Sequence, residues 1–242
     1  MVVWDRETTK GGALSFDGLP KALFSFLADL ARNNNRDWFQ RNKARYEADA
    51  LAPMLALIEA MQPLMKTVSA QIDVIASKSG GSLGRIYRDV RFSKDKSPYQ
   101  TYLAAQFRHV KGRSMNAPGF YVHLHPKESF LGVGIWQPEG EDIARIRAAI
   151  ASDSKAWQRA RDDRGFRSVF SALAGASLKR PPSGYPADHP CIEDLKRKDF
   201  VAFRKITIAE AAKSTFPRLL ADCYRASSPL MRFVCDALRL AY

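Results

Sequence analysis

The stretch 84–102, GRIYRDVRFSKDKSPYQTY, concentrates the side chains that could do chemistry. Arg85, Arg88 and Arg91 recur at every third residue, Lys94 and Lys96 come next, and Asp89 and Asp95 are set among them. A guanidinium is a planar fork of donors that fits a carboxylate or a phosphate through two parallel hydrogen bonds. Three forks and two ammonium groups could hold a polyanion. Asp89 could then orient one fork or act as a base, and Tyr99 could add a hydroxyl. Read as a strand, the segment 85–92 puts Arg85, Tyr87, Asp89 and Arg91 on one face, and Ile86, Val90, Phe92 and Arg88 on the core face. Read as a helix, it clusters Arg85, Arg88, Asp89 and Phe92. Both place an arginine beside Asp89, and the sequence does not choose between them. An arginine turned inward needs a partner or a ligand, because an unpaired buried charge is very costly. A ligand pocket and a structural ion-pair network therefore both fit.

The elements that must position this stretch are set by periodicity. Leu23, Phe26, Leu27 and Leu30 form the apolar face of a helix opened by Leu19-Pro20. Asn33, Asn34 and Asn35 end it. In the next helix Trp38, Phe39, Asn42 and Tyr46 share a face. Asn42, an amide on an aromatic face, needs hydrogen-bond partners, and the Arg85–Tyr99 motif is a candidate source. Pro53 and Pro63 are expected to divide the rest of this region into shorter helices ending near Ala70. Residues 77–84 read as a turn. Tyr102–Val110, Phe120–His125 and Ser129–Trp136 read as strands joined by short turns, an antiparallel meander. Helices over Glu139–Ala151 and Lys155–Arg161, a short helix over Ile192–Lys198, a strand over Phe200–Ile208 and a helix over Phe216–Leu240, broken near Pro229, complete the chain. The fold class is α+β, an antiparallel β-meander flanked by N-terminal and C-terminal helices. Residues 1–18 read as a loose leader and 19–242 as one domain.

Other signals are weaker. His123 and His125 project to one strand face with Tyr121, and His123 is a candidate acid or base. No further His or Cys stands at a telling distance, so no metal site and no cofactor is expected. Trp38, Tyr46, Tyr99 and Trp136 could floor a pocket, although aromatics at such spacings more often pack a core. The runs Arg159–Arg167 and Lys196–Lys198 read as solvated faces. Cys191, Cys223 and Cys235 match no disulfide or metal spacing, which fits a reducing, cytoplasmic setting. No window of the sequence is apolar enough to cross a membrane, and no signal peptide opens the chain.

Charge sharpens the picture. The 242 residues carry 38 Lys and Arg against 25 Asp and Glu, a net of +13. Residues 1–84 contribute +1 and residues 85–242 contribute +12. A basic half with interleaved aromatics suits nucleic acid, yet no helix-turn-helix, RNP or zinc-finger pattern is present. Nor is there a nucleophile elbow, a Walker loop or a dinucleotide glycine loop. The central charges are of mixed sign, which favours a defined site over a diffuse basic surface.

The pattern Arg85-x-x-Arg88-Asp89-x-Arg91-Phe92-x-x-Asp95-Lys96-x-Pro98-Tyr99 resembles the signature of the family called domain of unknown function 2461. So do Asn34 to Phe39 with Asn42, Lys43 and Tyr46, and the segments Gly119–Val122 and Gly132–Pro138. The resemblance runs from about Leu19 to Leu240. It implies no activity, and it singles out residues rather than a reaction.

The expectation is a protein that binds a small phosphate- or carboxylate-bearing ligand through Arg85, Arg88, Arg91 and Lys96, with Asp89 and Tyr99. Arg36, Trp38 and Asn42 complete the wall. Nucleic-acid association is the second reading, and an interaction module with a structural motif is the third. Whether there is catalysis, and in what oligomeric state, is left open by the sequence.

Overall fold

The computed structural model describes residues 16–112 and 117–242. The expected leader over 1–18 falls mostly outside these residues, and the chain is held to the core from Gly18 and Leu19 onward. Leu19 is buried and its N–H donates to the Ala211 carbonyl at 2.9 Å. Gly18 adopts φ +104, and a Cβ there would lie 2.1 Å from the Ala212 oxygen, so the close approach demands glycine.

Helix α1 (Lys21–Arg32) buries Leu23, Phe26, Leu27 and Leu30 completely, as the i, i+3, i+4, i+7 spacing requires. Helix α2 (Arg36–Arg41) starts at Asn35, whose side chain accepts the Trp38 N–H at 2.9 Å. A short α3 (Lys43–Arg45) passes through a π-turn (Tyr46–Leu51) into α4 (Ala52–Val68). The expected division at the prolines is corrected. Pro53 sits in the first turn of α4, where its missing N–H costs nothing, and Pro63 lies inside an unbroken helix. Met54, Leu57, Ile58, Met61 and Met65 anchor that helix to the core on both sides of Pro63, and this burial outweighs the lost bond.

The sheet runs β1 (Ile72–Asp73), β2 (Leu103–His109), β3 (Gly119–Leu124), β4 (Ser129–Ile135) and β5 (Phe200–Ile206) in that order, every pair antiparallel. Between β4 and β5 lie α5 (Gly140–Ser152), α6 (Ser154–Arg161), α7 (Arg164–Phe170) and α8 (Ile192–Leu195). After β5 come α9 (Ile208–Ala211), α10 (Phe216–Ala226) and α11 (Ser228–Ala237). The fold is α+β with helices at both ends. No helix of the described residues is long and apolar enough to cross a membrane.

Alternation sorts the sheet into two faces. Leu103, Ala105 and Phe107, Phe120, Val122 and Leu124, and Leu131, Val133 and Ile135 turn to the helices and are at most 3% exposed. Gln106, Tyr121, His123, Phe130 and Phe203 occupy the other face and remain half-buried. Tyr224 of α10 ties helix to sheet: its buried hydroxyl donates to the Tyr121 carbonyl at 3.0 Å.

The two basic runs are less solvated than their composition suggests. Asp194 is buried and accepts hydrogen bonds from Arg161 and Arg197, which draws one arginine from each run inward.

Candidate functional site

The Arg-rich stretch is neither strand nor helix. An isolated antiparallel bridge between Tyr87 and Tyr99 closes it into a loop, with Arg88 N–H donating to Pro98 at 2.9 Å and Gln100 N–H to Ile86 at 2.7 Å. Ile86 is buried and Arg88 half-buried, as an extended alternation requires. Phe92 departs from it: the strand reading puts it on the core face, yet it is 96% exposed, because the loop leaves the protein surface beyond the bridge.

Two Asx-type turns shape the loop from within. The Asp89 carboxylate accepts the Arg91 N–H at 3.2 Å, and the Asp95 carboxylate accepts the Ser97 N–H at 2.9 Å. Each carboxylate also takes a guanidinium. Arg91 donates to Asp89 through Nε at 2.9 Å and Nη2 at 2.7 Å, the two-pronged arrangement. Arg88 donates to Asp95 and to the Ser97 carbonyl at 3.2 Å. Lys96 donates to the Val90 carbonyl at 2.9 Å. Ser97 and then Arg88 hold the Asp95 carboxyl down to about 2, and Arg91 lowers that of Asp89. Among the described residues Arg85, Lys94 and Arg36 make no ion pair and no side-chain hydrogen bond.

The loop is anchored from far away in the chain. Asn34 donates from its amide to the Tyr99 carbonyl at 2.9 Å and accepts the Tyr99 N–H at 3.0 Å. Phe39 stacks on Tyr99 with ring centroids 4.1 Å apart and planes 16° apart. Tyr87 lies 5.4 Å from Tyr99, and Tyr46 lies 5.2 Å from Phe39. Burial, then the neighbouring Tyr87, pushes the Tyr46 hydroxyl up to about 12. Burial and Tyr87 also raise Tyr99, while Arg36 draws it the other way.

Asn42 and Trp38 stand apart from this arrangement. Asn42 finds its partner locally, donating to the Trp38 carbonyl at 2.9 Å at the end of α2, so the expected bond to the Arg-rich motif is corrected. Asn34 is the amide that makes it. Trp38 packs on Phe26 at 5.8 Å. Asn34 and Phe39 are what sequence reasoning left out of the site, whereas Tyr46 was a candidate pocket floor and Tyr87 lay on the Arg85 face. The signal available was the proximity of Asn34 and Phe39 to Arg36.

His123 lies elsewhere, on the sheet face away from the helices. It stacks on Phe130 at 4.7 Å and 11°, and its Nδ1 is 3.2 Å from the Tyr121 hydroxyl. Burial, aided by His125, lowers it to about 4, so it is neutral at pH 7. Among the described residues no group of three His, Cys, Asp or Glu side chains could hold a metal ion.

A model of the family described as "Conserved hypothetical protein (DUF2461)" matches residues 22–233. No curated protein matches the chain. No solved structure matches it.

Proposed function

Because the chain belongs to the DUF2461 family of conserved hypothetical proteins, whose description names no activity, we propose its function from the geometry of the 84–99 loop: it binds a small anion bearing phosphate or carboxylate. One observation carries this reading. Asp89 and Asp95 are already engaged by Arg91 and Arg88, while Arg85 and Arg36 are left without a carboxylate partner. Five cations face two carboxylates between Gly84 and Tyr99, so the loop holds a surplus of positive charge on a backbone fixed at its base. Such a fixed surplus suits a ligand that brings its own oxygens.

Each candidate residue has a role in this reading. Arg85 and Arg36 make the direct contacts. Arg88 and Arg91 keep donors free beyond those given to their aspartates, and are held in orientation by them. Asp89, with its carboxyl lowered by Arg91, orients a fork and is a poor base. Lys96 shapes the loop through the Val90 carbonyl, and Tyr99, only 2% exposed, fixes the base of the loop rather than meeting the ligand. Trp38 and Asn42 support α2 from behind. Three buried free thiols support a reducing, cytoplasmic setting.

Isothermal titration with pyrophosphate and with citrate tests the proposal. Arg85→Gln and Arg36→Gln alter exposed side chains and leave the core untouched. Each should weaken binding about tenfold, the loss of one charge-assisted contact. Absence of binding by the wild-type protein, or binding by both variants as tight as wild type, would count against it.

Phe92 favours a second reading. It is 96% exposed, the Arg91 guanidinium sits 5.8 Å from its ring, and Lys94 and Lys96 come next in the chain. Bases of single-stranded nucleic acid stack on such rings while cations meet the phosphates. Fluorescence anisotropy with a labelled single-stranded oligonucleotide, repeated across salt concentrations, tests this. Salt-sensitive binding lost in Phe92→Ala supports it, and binding indifferent to Phe92 removes it.

A further inference from the structure

The face of the sheet away from the helices carries an unbroken row of rings. Tyr102 lies 4.2 Å from His123, His123 is stacked 4.7 Å from Phe130, Phe130 meets Phe203 edge-on at 5.4 Å, and Trp136 lies 6.4 Å beyond. Gly132 and Gly134 add no side chain to the centre of β4. The Phe203 ring already fills the space over Gly132, where a Cβ would come within 3.1 Å of it. The result is a cleft of about 510 Å³ floored by backbone and walled by aromatic rings.

We propose that this cleft is a second binding site, for an uncharged, flat heteroaromatic molecule with hydrogen-bond acceptors on its edge. Three features define that chemistry. The volume lies in the range of small-molecule pockets, and the lining is apolar with few polar groups, the usual make-up of such sites. Among the described residues no charged side chain lines it, which suits a ligand whose bound part is uncharged. Polar groups able to donate remain. The Tyr102 and Tyr121 hydroxyls and Gln106 line the cleft, and Gln106, whose amide oxygen accepts from Arg108 at 2.6 Å, keeps its NH2 to donate. The Trp136 indole N–H has no partner among the described residues, and that side chain is 47% exposed. An exposed tryptophan on a bare sheet face exposes costly apolar surface, and a stacked ring covers it. This site is independent of the 84–99 loop, since none of the loop's cations line it.

Saturation-transfer NMR on the full chain, with benzimidazole at pH 7.4 as the probe, tests the proposal. Benzimidazole should receive saturation, and Trp136→Ala, at an exposed position, should weaken its binding about tenfold. Gln106→Leu should weaken benzimidazole but not indene, which has no ring nitrogen to accept a hydrogen bond. Benzimidazole-5-carboxylate should bind less well than the parent. The proposal is overturned by no transfer to benzimidazole, by unchanged binding in Trp136→Ala, or by tighter binding of the carboxylate. It is equally overturned if sedimentation finds a dimer that Trp136→Ala dissociates, because a second copy of the chain would then cover the face.

Discussion

The side chain of Asn34 satisfies both backbone polar groups of Tyr99, across a sequence separation of 65 residues. That pair, with Phe39 stacked on the Tyr99 ring, joins the start of α2 to the base of the Arg-rich loop. The anchor fixes the base of the loop, which its own backbone bridge, two Asx turns and mostly exposed ion pairs then shape.

Asn34→Ala removes both bonds and strands a half-buried N–H and C=O. The expected cost is about 1–3 kcal/mol, read as a lower midpoint in urea. The same variant should lose backbone protection in hydrogen exchange at Arg88 and Gln100, whose N–H groups close the loop. Protection unchanged at those two positions would show that the loop holds itself.

Asp194 predicts a different loss. Its buried carboxylate accepts from Arg161 and Arg197. Asp194→Ala leaves Arg197 half-buried without its carboxylate, while Arg161 keeps Asp162. A destabilisation of about 2–4 kcal/mol is expected, against less than about 0.5 kcal/mol for Arg145→Ala on the exposed side of α5. Chemical denaturation of the two variants side by side checks it.

Pro63 is exposed, in a helix whose neighbouring turns are held by buried methionines. Pro63→Ala restores an N–H to the α4 ladder and should raise stability by about 2 kcal/mol once the gain in unfolded-chain freedom is deducted. A higher thermal midpoint with unchanged far-ultraviolet dichroism is the expected result.

His123 sets a pH dependence. Its pKa falls from 6.5 to about 4 in the folded chain, with His125 adding to the burial and Glu128 opposing it. Above pH 6.5 both states are neutral at this residue, so its contribution to stability is fully present. Between pH 6.5 and 4 the unfolded chain takes up a proton that the folded chain refuses, and stability falls. Solvent on the open side of the ring limits the loss to about 1–2 kcal/mol. His123→Phe keeps a ring against Phe130 and should flatten stability across that interval. A slope equal to wild type would assign the dependence to other groups.

The elements with strong periodicity were legible in the sequence: α1, the strands of the meander and the C-terminal helices announce themselves through apolar spacing and proline. The conformation of 84–99 was not. Strand and helix spacing both fit it, yet it is neither: it is a loop pinned at its base by Asn34 and Phe39, contacts that no local pattern encodes. Asn42 was legible as an amide in need of a partner, but an amide at a helix end can satisfy itself on the preceding turn. Alternation put Tyr121 and His123 on one strand face. That no helix of the described residues covers this face depends on where α4, α7 and α11 pack, which is settled only by the assembled core.

The central claim is that the anchored loop and Arg36 receive an anion. The most direct measurement is a titration of isotopically labelled protein with pyrophosphate, monitored by two-dimensional NMR of backbone amides and arginine Nε–H groups. Saturable shifts are predicted at Arg36, Arg85, Arg88 and Arg91 and in the amides of 84–99, with the sheet face around His123 unmoved, and loss of those shifts in the double variant Arg36→Gln, Arg85→Gln. Shifts absent from the loop, or persisting in the double variant, would contradict it.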